Sequence, residues 1–151
     1  FRYTSGTTSR PRRGGVLMRI FARAYIGAFL AFCVMDFLWL GLIATDFYFG
    51  ALGGLLREEP NWMAAVIFYL GYVAGVVYFA VLPISRQAGW WAAAKRGALL
   101  GLLAYATYDM TNLATLVGWS LSVSLVDMFW GMVITGTAAA AGFLASLRAR
   151  A

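Results

Sequence analysis

Three aspartates lie inside apolar runs of this sequence: Asp36 in "FCVMDFLWLG", Asp109 in "YATYDMTNLATL" and Asp127 in "LSVSLVDMFWGM". Carboxyl groups in such surroundings share protons with one another, hold a cation or a polar headgroup, or fix helix register through hydrogen bonds. "YATYDMTNLATL" surrounds its acid with further polar groups. Tyr105, Tyr108, Asp109 and Asn112 fall on one helical face through i+3 and i+4 steps, with Thr111 beside them. Trp39 follows Asp36, and Trp130 follows Asp127, at the same i, i+3 spacing, and Gly131 comes next.

What these acids can do depends on the elements that carry them. Of the 151 residues, 62% are hydrophobic and 12% charged, whereas roughly a quarter of a soluble domain is charged. The apolar residues gather into four stretches of the ~20 residues that a helix needs to cross ~30 Å of hydrocarbon. They are 24–44, 62–82, 97–117 and 121–147. The expected fold is therefore all-α, an integral membrane bundle of four transmembrane helices over residues 18–151. A basic, Gly/Ser/Thr-rich tail, 1–17, precedes it, and "MRIFARAYIGAFLAF" from Met18 reads as a natural start. The first apolar run is too long for the core of a cleaved signal peptide.

The formal charge of +6 is sorted by side. Before the first span lie Arg2, Arg10, Arg12, Arg13, Arg19 and Arg23; between the second and third, Arg86, Lys95 and Arg96; after the fourth, Arg148 and Arg150. Of the 12 basic residues only Arg57 falls on the other side. This asymmetry places both termini in the cytoplasm and accounts for the basicity without nucleic acid. Membrane lipids are the expected partners, the N-terminal arginines attracting anionic headgroups. Trp62 and Trp119 fall at the outer boundary, Trp90 and Trp91 near the inner one.

Depth brings the acids together. Asp36 and Asp109 each sit about 12 residues into an outward-running span, about 18 Å from its inner edge, and Asp127 lies about 9 Å below the outer edge of an inward-running one. All three share one slab of the bilayer. An intramembrane aspartate costs about 2.5–3.5 kcal/mol even on lenient scales, so the three are expected to face inward as a single cluster. Tyr105, Tyr108, Asn112 and Thr111 supply its donors, with Trp39, Trp130 and Gly131 in support. No Lys or Arg sits at that depth, so the layer is expected to be satisfied by shared protons. Small residues in Gly71-x-x-x-Gly75 and Gly97-x-x-x-Gly101 are expected to let helix backbones approach. The loop "TDFYFGALGGLLREEPN", 45–61, is expected to hold a short interfacial helix.

The chain contains no histidine, which removes His-ligated haem, HExxH zinc sites and Ser-His-Asp triads. Two membrane carboxyl groups can activate water, as in aspartyl proteases, but "SLVDMFWG" lacks the Gly-x-Gly-Asp pattern, and no DxxD pair is present to hold Mg²⁺. No catalytic residue, metal site or cofactor is assigned.

Taken together, "MDFLWLGLIATDFY", "NWMAAVIFYLGYVAGVVYFAVLP" and "GALLGLLAYATYDMTNLATLVGWSLSVSLVDMFWG" resemble the bacterial membrane family named domain of unknown function 2177, over about Asp36 to Gly131. The resemblance implies a four-helix protein of the bacterial inner membrane. Asp36, Trp39, Tyr108, Asp109, Thr111, Asn112, Asp127, Trp130 and Gly131 match the family's motif positions, which carry no established activity. Two functions are expected of such a chain. One is a structural or accessory subunit, docked on a second copy or on a larger membrane complex through the tail. The other is a small proton- or cation-coupled transporter, or a lipid-headgroup binder, built on the Asp36, Asp109 and Asp127 layer.

Overall fold

A computed structural model describes residues 13–150. Among these residues the structure is helical, without a strand: α1 (Arg13–Leu38), α2 (Thr45–Leu52), α3 (Trp62–Val76), α4 (Gly89–Thr115) and α5 (Leu121–Ser146). Trp39–Ile43 prolongs α1, and Val77–Val81 prolongs α3, as wider π-helical turns. In them the Ala44 N–H donates to the Trp39 carbonyl at 2.8 Å and the Leu82 N–H to the Val77 carbonyl at 2.9 Å. Such turns insert one extra residue and re-aim the side chains around them.

Among the described residues three segments are long and apolar enough to cross a bilayer: Gly14–Ile43, Trp62–Val81 and Leu121–Ala149. α4 has the length, but Tyr105, Thr107, Tyr108, Asp109, Thr111 and Asn112 dilute its C-terminal half. The helices also overrun the expected spans. α1 begins at Arg13, so residues 13–17, expected in the tail, are helical, while 1–12 lie outside the described residues. α4 begins at Gly89 rather than 97, and its first turns carry Trp90, Trp91 and Lys95, whose Nζ sits 5.7 Å from the centre of the Trp91 ring. The reason is physical: hydropathy marks where hydrocarbon ends, but backbone hydrogen bonding continues into the interface. The helix expected in the outer loop is α2.

Local sequence sets the ends. Asn61 caps α3 by accepting from the Ala64 N–H at 3.1 Å. Gly118, at φ 85°, reverses the chain between α4 and α5, a backbone setting that other residues rarely adopt. At the far end of α5 the Arg150 guanidinium donates to the Ile84 carbonyl at 2.8 Å, the Val81 carbonyl at 3.1 Å and Ser146 Oγ at 2.8 Å. It thereby ties the tail of α5 to the carbonyls that follow α3.

α5 is the central element, antiparallel to both α1 and α4, and small residues bring it close to each. A Cβ on Gly27 would stand 2.6 Å from Ala145 Cβ, and one on Gly142 2.8 Å from the Ala24 carbonyl oxygen. Against α4, a Cβ on Gly97 would stand 2.6 Å from Ala139 Cβ, and one on Gly101 would run into the Gly131 carbonyl. Gly97 and Gly101 thus do what their spacing predicts. Gly71 and Gly75 do not: a Cβ at either would meet nothing within 4 Å. Their face of α3 is turned away from the other helices.

The apolar core, with Phe32, Val73, Val76, Val77, Ile134 and Phe143 fully buried, fills the half of the bundle away from α2. Outside, Ile26, Leu30, Phe37, Leu42, Ile67, Phe79, Leu103 and Phe129 are all more than half exposed, the exterior of a protein whose solvent is lipid.

Candidate functional site

The two Asp-x-x-Trp spacings meet. Trp39 and Trp130 stack face to face, ring centres 4.4 Å apart and planes 11° from parallel. This stack joins α1 to α5 and sets an aspartate on each side. Asp36, 8% exposed, accepts from the Tyr69 hydroxyl of α3 through Oδ2. Asp127 accepts from the Tyr48 hydroxyl of α2 through Oδ1. Trp39 Nε1 donates to Tyr48 Oη at 3.2 Å, and the Trp130 indole lies beside Asp36, just outside hydrogen-bond geometry. Each indole therefore supports the aspartate borne by the other helix.

Above the stack lies a cavity of about 500 Å³. Its floor and walls hold Asp36, Asp127, Tyr69, Tyr105, Tyr108 and Trp119, and its roof is α2 with the loop after it, through Thr45, Tyr48, Phe49, Leu52, Leu56, Arg57 and Pro60. Each carboxyl group accepts one hydrogen bond from a tyrosine, and among the described residues no further hydrogen bond is formed to either, although the Trp130 indole lies beside Asp36. Burial, and then the bond to Asp127, push the Tyr48 hydroxyl above its ordinary value, so it stays a donor at any physiological pH. Arg57 is the one cation of the wall, and no ion pair ties it to either acid among the described residues.

Two residues expected as donors are present on the wall, but neither donates to Asp36 or Asp127. Tyr105 and Tyr108 line the cavity. The Tyr105 ring lies over Gly131, where a Cβ would collide with it, and Tyr108 meets Trp119 edge-on at 5.6 Å. Gly131 is thus a supporting residue by its lack of a side chain.

The rest of the expected cluster separates. Asp109 is fully buried but does not line the cavity, and neither carboxyl oxygen has a partner. It sits beside Ser124, whose Oγ approaches the Asp109 carbonyl at 3.5 Å and accepts from Trp119 Nε1 at 3.0 Å. Asn112 is half-buried next to Tyr108, outside the cavity wall. Thr111 is exposed and returns its hydroxyl to the Thr107 carbonyl; Thr107 and Thr115 do the same to the carbonyls one turn back, at 2.7 and 2.8 Å. This ladder lets threonines face lipid with their hydroxyls satisfied. Of the three acids expected in one layer, Asp36 and Asp127 line the cavity, and Asp109 is buried beside it without lining it. Equal depth does not fix rotation about the helix axis.

Sequence reasoning passed over Tyr48, Tyr69, Trp119 and Arg57. Tyr69 carried a signal, since with Tyr72 it puts two hydroxyls at i, i+3 in an otherwise apolar span, and Tyr72 indeed bonds Thr135 Oγ1 at 2.9 Å. Tyr48 carried none, because its contact depends on how the outer loop folds back.

No curated protein and no solved structure matches the chain. Residues 21–144 match the family described as predicted membrane protein (DUF2177). The match spans both Asp-x-x-Trp spacings, all five helices in whole or in part, and every residue of the cavity wall. The chain belongs to that family of predicted membrane proteins.

Proposed function

We propose that this protein binds an organic cation, an ammonium-bearing molecule, in the outer cavity. The observation that carries the reading is that Asp36 and Asp127, each held by a single tyrosine hydrogen bond, line one space together with Tyr48, Tyr69, Tyr105, Tyr108 and Trp119. A carboxylate in low dielectric attracts a cation far more strongly than in water, and aromatic faces add cation–π attraction of about 0.5–2 kcal/mol each. α4 is read as a fourth span, its polar outer half shielded by the cavity instead of exposed to hydrocarbon. With both termini cytoplasmic by the sorting of arginines, the cavity opens on the outer side of a bacterial inner membrane. Inward of Asp36 the packed core supports a binding protein or one state of a cation-coupled carrier.

The test is a titration of tetramethylammonium into the full chain in nanodiscs, read by the fluorescence of Trp39, Trp119 and Trp130. Saturable quenching is expected. Asp36→Asn and Asp127→Asn should each weaken binding at least tenfold, about 1.4 kcal/mol, while Asp109→Asn should leave it unchanged. Absence of saturable quenching, or equal loss from all three variants, would sink the reading.

A second reading, docking of a partner helix or a second copy, draws on Gly71 and Gly75, whose small-residue face meets no neighbour in the chain. It suits an accessory subunit. A cross-linked dimer through α3 in native membranes supports it, and a monomer there speaks against it.

A further inference from the structure

We infer that the cavity's ligand is an aminophospholipid, its ammonium between Asp36 and Asp127, its phosphate at Arg57, and an acyl chain in the groove between α1 and α3. The inference rests on the amine-binding reading above and names the molecule that carries the amine.

The groove holds about 490 Å³ and is lined by Phe29, Cys33, Phe37, Gly41, Val66 and Leu70, together with Asp36, Leu40 and Tyr69. Those last three also line the polar cavity. The two spaces thus share a wall of one aspartate, one tyrosine and one leucine. The groove runs between two of the segments apolar enough to span a bilayer, so what fills it is hydrocarbon. A molecule occupying both spaces must be polar and cationic at one end and aliphatic at the other.

Arg57 completes the match. The acids lie deep in the cavity and the arginine comes from the loop above, so the wall presents two negative groups below one positive group. A phosphate esterified to an ethanolamine has the complementary order, with its ammonium two carbons beyond its phosphate. Guanidinium binds phosphate bidentately, and the two carboxyl groups accept from an ammonium, so both charges of the zwitterion are met. A phospholipid lacking the amine would leave Asp36 and Asp127 without a counter-charge.

The π-helical turn at Trp39–Ile43 serves the shared wall. It carries Leu40, which touches both spaces, and Gly41, where a Cβ would meet only the Phe37 ring at 3.9 Å. A side chain at Gly41 therefore has room, and the room is the groove.

The experiment uses the full chain in detergent with phosphatidylethanolamine bearing a photoactivatable acyl chain. Label is expected on peptides of α1 and α3 that line the groove. Phosphatidylethanolamine should compete at least a hundredfold better than phosphoethanolamine or ethanolamine, and phosphatidylglycerol should not compete. Gly41→Phe should weaken lipid binding at least tenfold and leave tetramethylammonium binding unchanged. Arg57→Gln should weaken phosphatidylethanolamine and phosphoethanolamine but not ethanolamine. Should Gly41→Phe misfold, Val66→Trp fills the same groove from an exposed position on α3. If the lipid binds no better than ethanolamine, or groove-filling changes nothing while tetramethylammonium still binds, the lipid is wrong and the amine reading stands. If neither lipid nor tetramethylammonium binds, both fall.

Discussion

Gly101→Ala is expected to leave little folded protein. The added methyl would overlap the Gly131 carbonyl oxygen, with Thr135 Oγ1 2.7 Å away, so the backbones of α4 and α5 must part along their length. Overpacking in a closed interface costs about 1–3 kcal/mol and more where backbone is struck. Here the nearest obstacle, the Gly131 carbonyl, is backbone and cannot rotate aside. Parting the helices also lifts the Tyr105 ring from Gly131, so the cavity is lost with the fold. Gly75→Ala is the matched control, because its methyl meets nothing within 4 Å. Exchanging glycine for alanine in an open helical position gains about 0.4–1 kcal/mol. Thermal unfolding in detergent should show a large fall for Gly101→Ala and no fall for Gly75→Ala. Equal falls would mean that α4 and α5 do not pack as described.

Trp130→Ala is expected to lower stability by about 3 kcal/mol, the low end of the range for removing a core aromatic, because Trp130 is partly buried. The indole stacks on Trp39, and Trp39 in turn holds Tyr48 and so the α2 roof. The loss should therefore reach the outer loop. Proteolysis between Gly53 and Pro60 is the readout: faster cleavage in Trp130→Ala than in the parent shows the roof released. Trp130→Phe, which keeps a stacking face, should recover most of the protection. Cleavage unchanged in Trp130→Ala would detach the roof from the stack.

The fold was legible where the sequence controls it directly. Apolar length fixed α1, α3 and α5, and the polar C-terminal half of α4 pointed to a cluster of buried polar groups. The repeated Asp-x-x-Trp spacing brought Asp36, Trp39, Asp127 and Trp130 into one place, because an i, i+3 pair keeps its two side chains on one face whatever the helix does. Legibility ended at relations between helices. Asp109 has the depth expected of Asp36, yet it lies off the cavity wall with Ser124 Oγ against its backbone carbonyl, because the close contacts of Gly97 and Gly101 with α5 set the rotation of α4. Thr111 and Asn112 were placed with it for the same reason. Gly71 and Gly75 have the spacing of a packing face, but spacing cannot say whether a neighbour within the chain covers it. Tyr48 reaches Asp127 across 79 positions of sequence, through a loop whose course no local pattern specifies.

Asp36 and Asp127 border one polar space under α2, and Asp109 does not. Cysteine accessibility measures this directly, since the chain has a single native cysteine, Cys33, which Cys33→Ala removes. In that background Asp36→Cys and Asp127→Cys should react with a charged methanethiosulfonate added outside intact cells, and Asp109→Cys should stay unmodified. Modification of Asp109→Cys at the rate of the other two, or none at Asp36→Cys and Asp127→Cys in folded protein, would contradict it.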